Sequence, residues 1–131
     1  MGIFGKLFGN DNMQGEAPKA AIPWIPLTNN EQLQQLKLSS ANRPQIIYKH
    51  STTCGVSSMV LRAMENKVGA SEPEADFFFL DLHRHRELSR AVASEFRIRH
   101  ESPQLLIIKD GNVVMAASHG AIAEIDFSDY L

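Results

Sequence analysis

Cysteine is nearly absent from this sequence: among 131 residues there is one, Cys54. A single cysteine excludes an internal disulfide, a dithiol Cys-x-x-Cys redox pair and a zinc site built from several cysteines. Two interpretations of Cys54 remain open. It is either an inert buried thiol, as free cysteines commonly are, or a single reactive thiol.

The sequence also lacks an excess of basic residues and a long apolar run. Thirteen lysines and arginines stand against 15 acidic residues, which argues against nucleic-acid binding as the main task. No run reaches the roughly 18 apolar residues of a membrane span, and the first residues lack the pattern of a secretory signal. We therefore expect a cytoplasmic protein. Its 44% apolar and 21% charged residues are typical of a globular domain.

The N-terminal part differs in composition from the rest. Residues 10–20 are polar and contain Gly15 and Pro18, so we expect 1–20 to form a flexible extension and 21–131 to form one domain. The apolar residues among the first eight leave open a weak contact with a membrane or a partner. A frayed tail is the simpler interpretation.

Apolar periodicity divides the domain into alternating strands and helices. The predicted strands are 22–27, 45–49, 76–82, 104–109 and 112–117, and the predicted helices are 29–39, 56–68, 86–97 and 122–131. Thr28 and Glu31 match a capping box at the first helix, Gly69 marks the end of the second, and Asp110-Gly111 predicts a hairpin. This order predicts an α/β fold of the thioredoxin-like type, with a central mixed β-sheet flanked by helices on both faces.

Cys54 falls between the second predicted strand and the helix 56–68, so it precedes the N-terminus of that helix. Free backbone N–H groups and the helix dipole favour a thiolate there. Thr52 or Thr53 is expected to cap the helix and to reach the sulfur, and Lys49 and His50 bring positive charge nearby. This placement favours a functional thiol over an inert one.

Two further positions bear on the chemistry of the thiol. Ser57 stands three residues after Cys54, where a dithiol oxidoreductase has its second cysteine. Serine forms no disulfide, so a second thiol must come from outside the chain; alternatively, Ser57 only satisfies a backbone group of the first turn. Pro103 stands at a strand entrance, where either a trans or a cis bond is open.

These motifs closely resemble those of the bacillithiol-system thioredoxin-like proteins, the monothiol bacilliredoxins. The matching segments are Lys49-His50-Ser51-Thr52-Thr53-Cys54-x-x-Ser57, His100-Glu101-Ser102-Pro103-Gln104 and Ser118-His119. The resemblance runs from about residue 25 to the C-terminus. It implies a monothiol thiol-disulfide oxidoreductase of the bacterial cytoplasm, a monomer that removes bacillithiol from bacillithiolated proteins. Bacillithiol would be its co-substrate, with no tightly bound cofactor and no metal.

The resemblance also implies roles for individual residues. Cys54 is the nucleophile, Pro103 is a cis-proline that faces it, and Ser102 offers backbone contacts to the substrate. The implied substrate-binding residues are Thr52, Thr53, Ser57, Ser102, Pro103 and Gln104, and the residues that would tune the thiol are Lys49, His50, His100 and His119. Arg97 and Arg99 are further candidates for binding the carboxylates of bacillithiol.

One departure from the family pattern keeps other functions open. Gly55 follows the cysteine where family members often have proline, and Cys54-Gly55-Val56-Ser57 is similar to the Cys-Gly-Phe-Ser motif of monothiol glutaredoxins. Those proteins bind a [2Fe–2S] cluster, although Val56 replaces the phenylalanine here. The alternatives are therefore a cluster carrier and a non-catalytic thioredoxin-like binding module. A metal site at His83 and His85 lacks an evident third ligand, which favours a solvated strand end.

Overall fold

The computed structural model describes residues 22–68 and 74–131. The predicted extension 1–20 and the predicted helix stop at Gly69 lie outside the described residues. No helix in the described part of the chain is long and apolar enough to cross a membrane.

A five-stranded mixed sheet forms the centre of the domain. Its strands are β1 (Ile25–Pro26), β2 (Gln45–His50), β3 (Asp76–Asp81), β4 (Gln104–Lys109) and β5 (Asn112–Ser118), in the order β1-β3-β2-β4-β5. The first three strands of that order run parallel, and β4 and β5 pair antiparallel with their neighbours. The short strand β1 lies at an edge, as its prolines predict.

Helices cover both faces of the sheet, as predicted. They are α1 (Asn30–Ser39), α2 (Gly55–Val68) and α3 (Arg86–Phe96). Because successive side chains of a strand point to opposite faces, Ile47 packs with the apolar residues of α1 and α3, whereas Ile46 packs with those of α2. Helix α2 therefore covers one face of the sheet, and α1 and α3 cover the opposite face.

The N-cap of α1 lies one residue later than predicted. The cap is Asn29, whose Oδ1 accepts a hydrogen bond from the backbone N of Gln32 at 2.8 Å. The Gln32 Oε1 in turn accepts from the backbone N of Thr28 at 2.7 Å. The prediction of Thr28 and Glu31 was wrong because asparagine caps as well as threonine, and glutamine can supply the reciprocal acceptor.

The predicted C-terminal helix 122–131 is also wrong. Two short 3-10 helices, His119–Glu124 and Phe127–Asp129, occupy this region. Ile122 and Ile125 are both buried, and their spacing of three fits the three residues per turn of a 3-10 helix. Asp126 then starts the second helix by accepting a hydrogen bond from the backbone N of Ser128 at 3.1 Å.

The hairpin between β4 and β5 has the predicted turn at Asp110-Gly111. Both residues have positive φ, 52° and 77°, as a two-residue turn of type I′ requires. The backbone N of Gly111 donates to Ser40 Oγ at 2.8 Å, which joins the turn to the end of α1. The Asp-Gly pair therefore places Lys109 opposite Asn112, and the register shifts by one residue between Ile107 and Ile108.

We expect Gly111→Ala to lower the free energy of unfolding by about 1 kcal/mol, because alanine is strained at positive φ. Steric crowding adds little, since an added Cβ would have its nearest neighbour, Lys37 Cε, at 3.8 Å. Urea denaturation measures the change. Gly120→Ala is the matched control, because its φ is not in the positive range and no atom lies within 4 Å of an added Cβ. Equal effects of the two substitutions would contradict the strain argument.

Candidate active site

Cys54 lies where the loop after β2 enters α2. It directly precedes Gly55, the first residue of that 14-residue helix, and it is partly exposed. The backbone N of Cys54 donates to the carbonyl of Ser51 at 3.2 Å, and its carbonyl accepts from the backbone N of Ser57 at 3.1 Å. The thiol therefore stands at the N-terminal, positive end of the dipole of α2.

Ser57 connects the helix to the strand beneath it. Its side chain is fully buried. The Oγ lies 2.8 Å from His50 Nδ1 and 3.0 Å from the Tyr48 hydroxyl, and it accepts from the backbone N of Ser51 at 3.2 Å. Ser57 thus does more than satisfy a first-turn amide, because its hydroxyl joins β2, the active-site loop and α2.

Tyr48 is a site residue that sequence reasoning missed, because its strand has the appearance of pure core. Its hydroxyl donates to the carbonyl of Ser57 at 2.6 Å. Burial raises the pKa of Tyr48 to about 12, the Ser57 hydrogen bond opposes this rise, and the charge of Cys54 adds to it. The tyrosine therefore stays protonated and holds the first turn of α2 on β2.

His50 is neutral at neutral pH. Burial lowers its pKa below the usual value; Asp81 acts against this shift and His83 adds to it. The ring stacks near Phe79, with ring centres 5.1 Å apart. His50 therefore contacts the site, as predicted, through its hydrogen bond to Ser57 and without bringing the expected positive charge.

Lys49 faces away from α2. Its side chain is fully buried, and its Nζ lies 3.1 Å from His100 Nδ1 and 3.5 Å from the carbonyl of Ser89 on α3. Lys49 and His50 are neighbours on a strand, so they belong to opposite faces. The structure consequently pairs two of the predicted thiol-tuning residues, Lys49 and His100, with each other on the α3 side.

Sequence reasoning considered His83 only as a metal ligand beside His85 and missed its contact with the active-site loop. Its Nε2 lies 3.1 Å from Ser51 Oγ and 3.3 Å from Thr53 Oγ1. The parallel pairing of β2 and β3 places His50 opposite Asp81, so the residues that follow both strands meet at one edge. The parallel pairing of β2 and β3 could have indicated that the residues after β3 lie beside the active-site loop.

The histidines and the threonines of the site have other contacts than the sequence suggested. In residues 22–68 and 74–131 no group of three or more potential ligands is arranged for a metal ion. The predicted cap of α2 is wrong in the described chain: the Thr53 hydroxyl contacts Ser51 Oγ at 3.2 Å and His83, and Thr52 is exposed. The hydroxyl of Thr53 is therefore engaged with the loop after β3.

The proline loop lies at the same edge of the sheet as Cys54. The Ser102–Pro103 peptide bond is cis. The next residue, Gln104, pairs with Lys49 at the end of β2, which places Pro103 beside the loop that carries the thiol. The backbone N of His119 donates to the carbonyl of Pro103 at 3.0 Å, so His119 supports this loop through its backbone.

Gln104 has an internal role. Its side chain is buried, its Nε2 donates to the carbonyl of Arg99 at 2.9 Å, and its Oε1 accepts from the backbone N of Glu101 at 3.4 Å. Both hydrogen bonds close the loop before β4. We conclude that Gln104 fixes the proline loop from within, rather than lining the site as expected.

Comparisons with known proteins identify the family and the fold. The family model described as monothiol bacilliredoxin BrxC matches residues 25–127. A candidate oxidoreductase with a thioredoxin fold is 27% identical, covers 77% of this chain and 93% of its own, and gives a TM-score of 0.66. Thioredoxin from Trypanosoma brucei brucei is 15% identical over 86% of this chain and 90% of its own, with a TM-score of 0.62. Thioredoxin from Schistosoma mansoni is 20% identical over 77% and 87%, with a TM-score of 0.61. The predicted α/β fold of the thioredoxin type is confirmed.

Proposed function

This chain belongs to the monothiol bacilliredoxin family, and from that premise we propose that it removes bacillithiol from mixed disulfides on other proteins. The family and the thioredoxin fold give the chain a thiol redox role. The observation that carries the finer proposal is the pairing of a partly exposed Cys54 with a buried, fully hydrogen-bonded Ser57. Such a site can form a mixed disulfide and cannot resolve it internally.

The proposed reaction proceeds by two thiol–disulfide exchanges. The Cys54 thiolate attacks the bacillithiol sulfur of the substrate, the S–S bond breaks, and the substrate protein leaves as a thiolate that takes a proton from water. Cys54 now carries bacillithiol. The thiolate of a second bacillithiol attacks the sulfur of the bound one, so bacillithiol disulfide leaves and the Cys54 thiolate is restored. Bacillithiol is thus the co-substrate, and the proposed setting is the bacterial cytoplasm.

The exposed groups around Cys54 are suited to a substrate protein. Thr52 is exposed and Ser102 is partly exposed, and they flank the thiol at one edge of the sheet. We assign substrate contacts to Thr52 and to the backbone of Ser102, next to Pro103. Thr53 would contact the substrate through its backbone, because its hydroxyl is hydrogen-bonded to Ser51 and His83. These contacts would position the substrate disulfide over Cys54.

We expect the native chain to form one bacillithiol adduct when it is incubated with bacillithiol disulfide, and to lose it on addition of reduced bacillithiol. Intact-mass spectrometry measures both steps. The Cys54→Ser variant is the control, because it has no thiol. An adduct on that variant, or an adduct on the native chain that survives excess bacillithiol, would contradict the proposal. Visible absorption bands after purification without oxygen would instead support a [2Fe–2S] carrier.

A further inference from the structure

A cleft with basic walls lies beside the active-site loop. Its volume is about 260 Å³, and it is lined by Leu82, His83, Arg86, Ser89, Arg90 and His100. Arg86 and Arg90 are four residues apart on α3, so their side chains lie on one helix face. Every titratable group of this lining is a base, and two of them are guanidinium groups that remain charged at all relevant pH values.

A buried ammonium adds to the positive charge behind this cleft. Lys49 Nζ contacts two lining residues, His100 and Ser89. The ion pairs of the described residues are Lys37–Glu95 and Arg43–Asp76, and neither includes a cation of the cleft. A buried charge is ordinarily paired in proteins. The positive charge of the cleft therefore has no carboxylate partner within the described chain.

Two acidic residues lie near the cleft, and its basic residues outnumber them. Asp81 Oδ1 accepts a hydrogen bond from the backbone N of the lining residue His83 at 3.0 Å, and Glu101 follows His100 in the chain. Burial, Lys49 and Arg90 together lower the pKa of His100, although the charge of Glu101 acts to raise it. His100 can accept the Lys49 hydrogen bond at Nδ1 only when that nitrogen carries no proton. His100 is accordingly neutral, and the basic groups left at the cleft are Lys49, Arg86 and Arg90, with Asp81 and Glu101 as the nearby acidic residues.

The cleft is joined to the reacting cysteine by one side chain. His83 forms part of the lining, and its Nε2 lies 3.3 Å from Thr53 Oγ1. Thr53 immediately precedes Cys54. The cleft is therefore linked to the residue before the thiol through the contact between His83 and Thr53, and its volume lies below the usual range of whole-ligand pockets.

We propose that this cleft binds a carboxylate of the small thiol that reacts with Cys54, with Arg86 and Arg90 as its main ligands. Guanidinium groups bind carboxylates through paired hydrogen bonds, and the buried ammonium adds attraction at close range. The proposal rests on the proposed function and extends it. It assigns preference for an anionic thiol to α3, and not to Arg97 and Arg99, where the sequence suggested it. Arg97 is the left-handed cap of α3, and Arg99 lines a separate cleft beside β5.

The test compares adduct formation with three disulfides: bacillithiol disulfide, glutathione disulfide and the uncharged 2-hydroxyethyl disulfide. We expect the Arg86→Gln/Arg90→Gln variant to lower the ratio of the bacillithiol rate to the uncharged rate by about tenfold at low salt. Adding about 0.5 M salt should reduce the same ratio in the native chain, because it screens partly exposed charges. Arg84→Gln is the control, since Arg84 lies in the loop between β3 and α3, two residues before Arg86, and is not part of the lining; its ratio should stay within twofold.

Each outcome distinguishes the possibilities. An unchanged ratio in the double variant, or an equal fall in the Arg84 control, would overturn the cleft proposal and leave the proposed function in place. A fall with both carboxylate-bearing disulfides supports a general carboxylate site, and a fall with bacillithiol disulfide alone supports one shaped for that thiol. If the native Cys54 reacts with none of the three disulfides, the proposed function fails and this inference fails with it.

Discussion

The Ser57→Cys variant is expected to release bacillithiol from Cys54 without any second thiol, about 100-fold faster than the native chain under the same conditions. Ser57 lies in the first turn of α2, and its backbone N donates to the carbonyl of Cys54 at 3.1 Å. A thiolate there would attack the Cys54 sulfur, form a disulfide between positions 54 and 57, and expel bacillithiol as a thiolate. An intramolecular thiol has a far higher effective concentration than one in solution, which accounts for the expected rate.

The measurement uses adducts from which free thiol has been removed, followed by intact-mass spectrometry over time. The native adduct should persist, whereas the Ser57→Cys adduct should become a chain with two hydrogens fewer than its reduced form. Ser94→Cys is the control, because it adds a thiol in the last turn of α3, where Ser94 is exposed. A Ser57→Cys adduct as long-lived as the native one would show that position 57 does not reach the sulfur.

Most of the fold could be predicted because the strands and helices have clear apolar periods and strong boundaries. The turn at Asp110-Gly111 is an example, since its type depends on two adjacent residues alone. The two errors arose where the sequence fits more than one local structure. Asn29 rather than Thr28 caps α1, and the C-terminal apolar residues suit 3-10 turns as well as an α-helix.

Sequence reasoning placed residues of the candidate site better where they are close in the chain than where they come from separate strands. Ser57 and Pro103 are near Cys54 because local spacing and sheet order determine their positions. The contacts of Tyr48 and His83 escaped notice because they depend on which strand face and which strand end meet the active-site loop. Such contacts follow from the parallel register of β2 and β3, which apolar periodicity does not reveal.

The predicted role of Lys49 was also affected because sequence alone did not show which strand face it lies on. Its proximity to His50 in sequence suggested a role beside the thiol, yet strand alternation turns it toward α3. There its ammonium is buried with His100 and Ser89 as hydrogen-bond partners and no carboxylate in the described chain. A charge in that position destabilises the fold.

We expect Lys49→Met to raise the free energy of unfolding by about 2 kcal/mol at pH 7. Burial lowers the pKa of Lys49 from 10.5 to about 8, which corresponds to about 3 kcal/mol of destabilisation when the lysine is charged. Because solvent reaches His100 beside the ammonium, part of this is screened. Methionine fills a similar volume without charge, and His100 Nδ1 keeps the Ser89 hydroxyl at 3.2 Å as a partner.

The pH dependence separates this cause from a general improvement in packing. Between pH 8 and 10.5 the unfolded chain holds a proton on Lys49 that the folded chain has lost, so native stability rises with pH across this window. Below pH 8 the destabilisation is fully present. The advantage of Lys49→Met should therefore fall to roughly half by pH 9.5, as urea denaturation at several pH values would measure.

Lys109→Met, at the partly exposed end of β4, is the control and should show no such trend. A pH-independent gain, or a loss, would contradict the charge argument. Because an anion bound in the basic cleft offsets the same charge, bound carboxylate should stabilise the native chain more than the variant at pH 7.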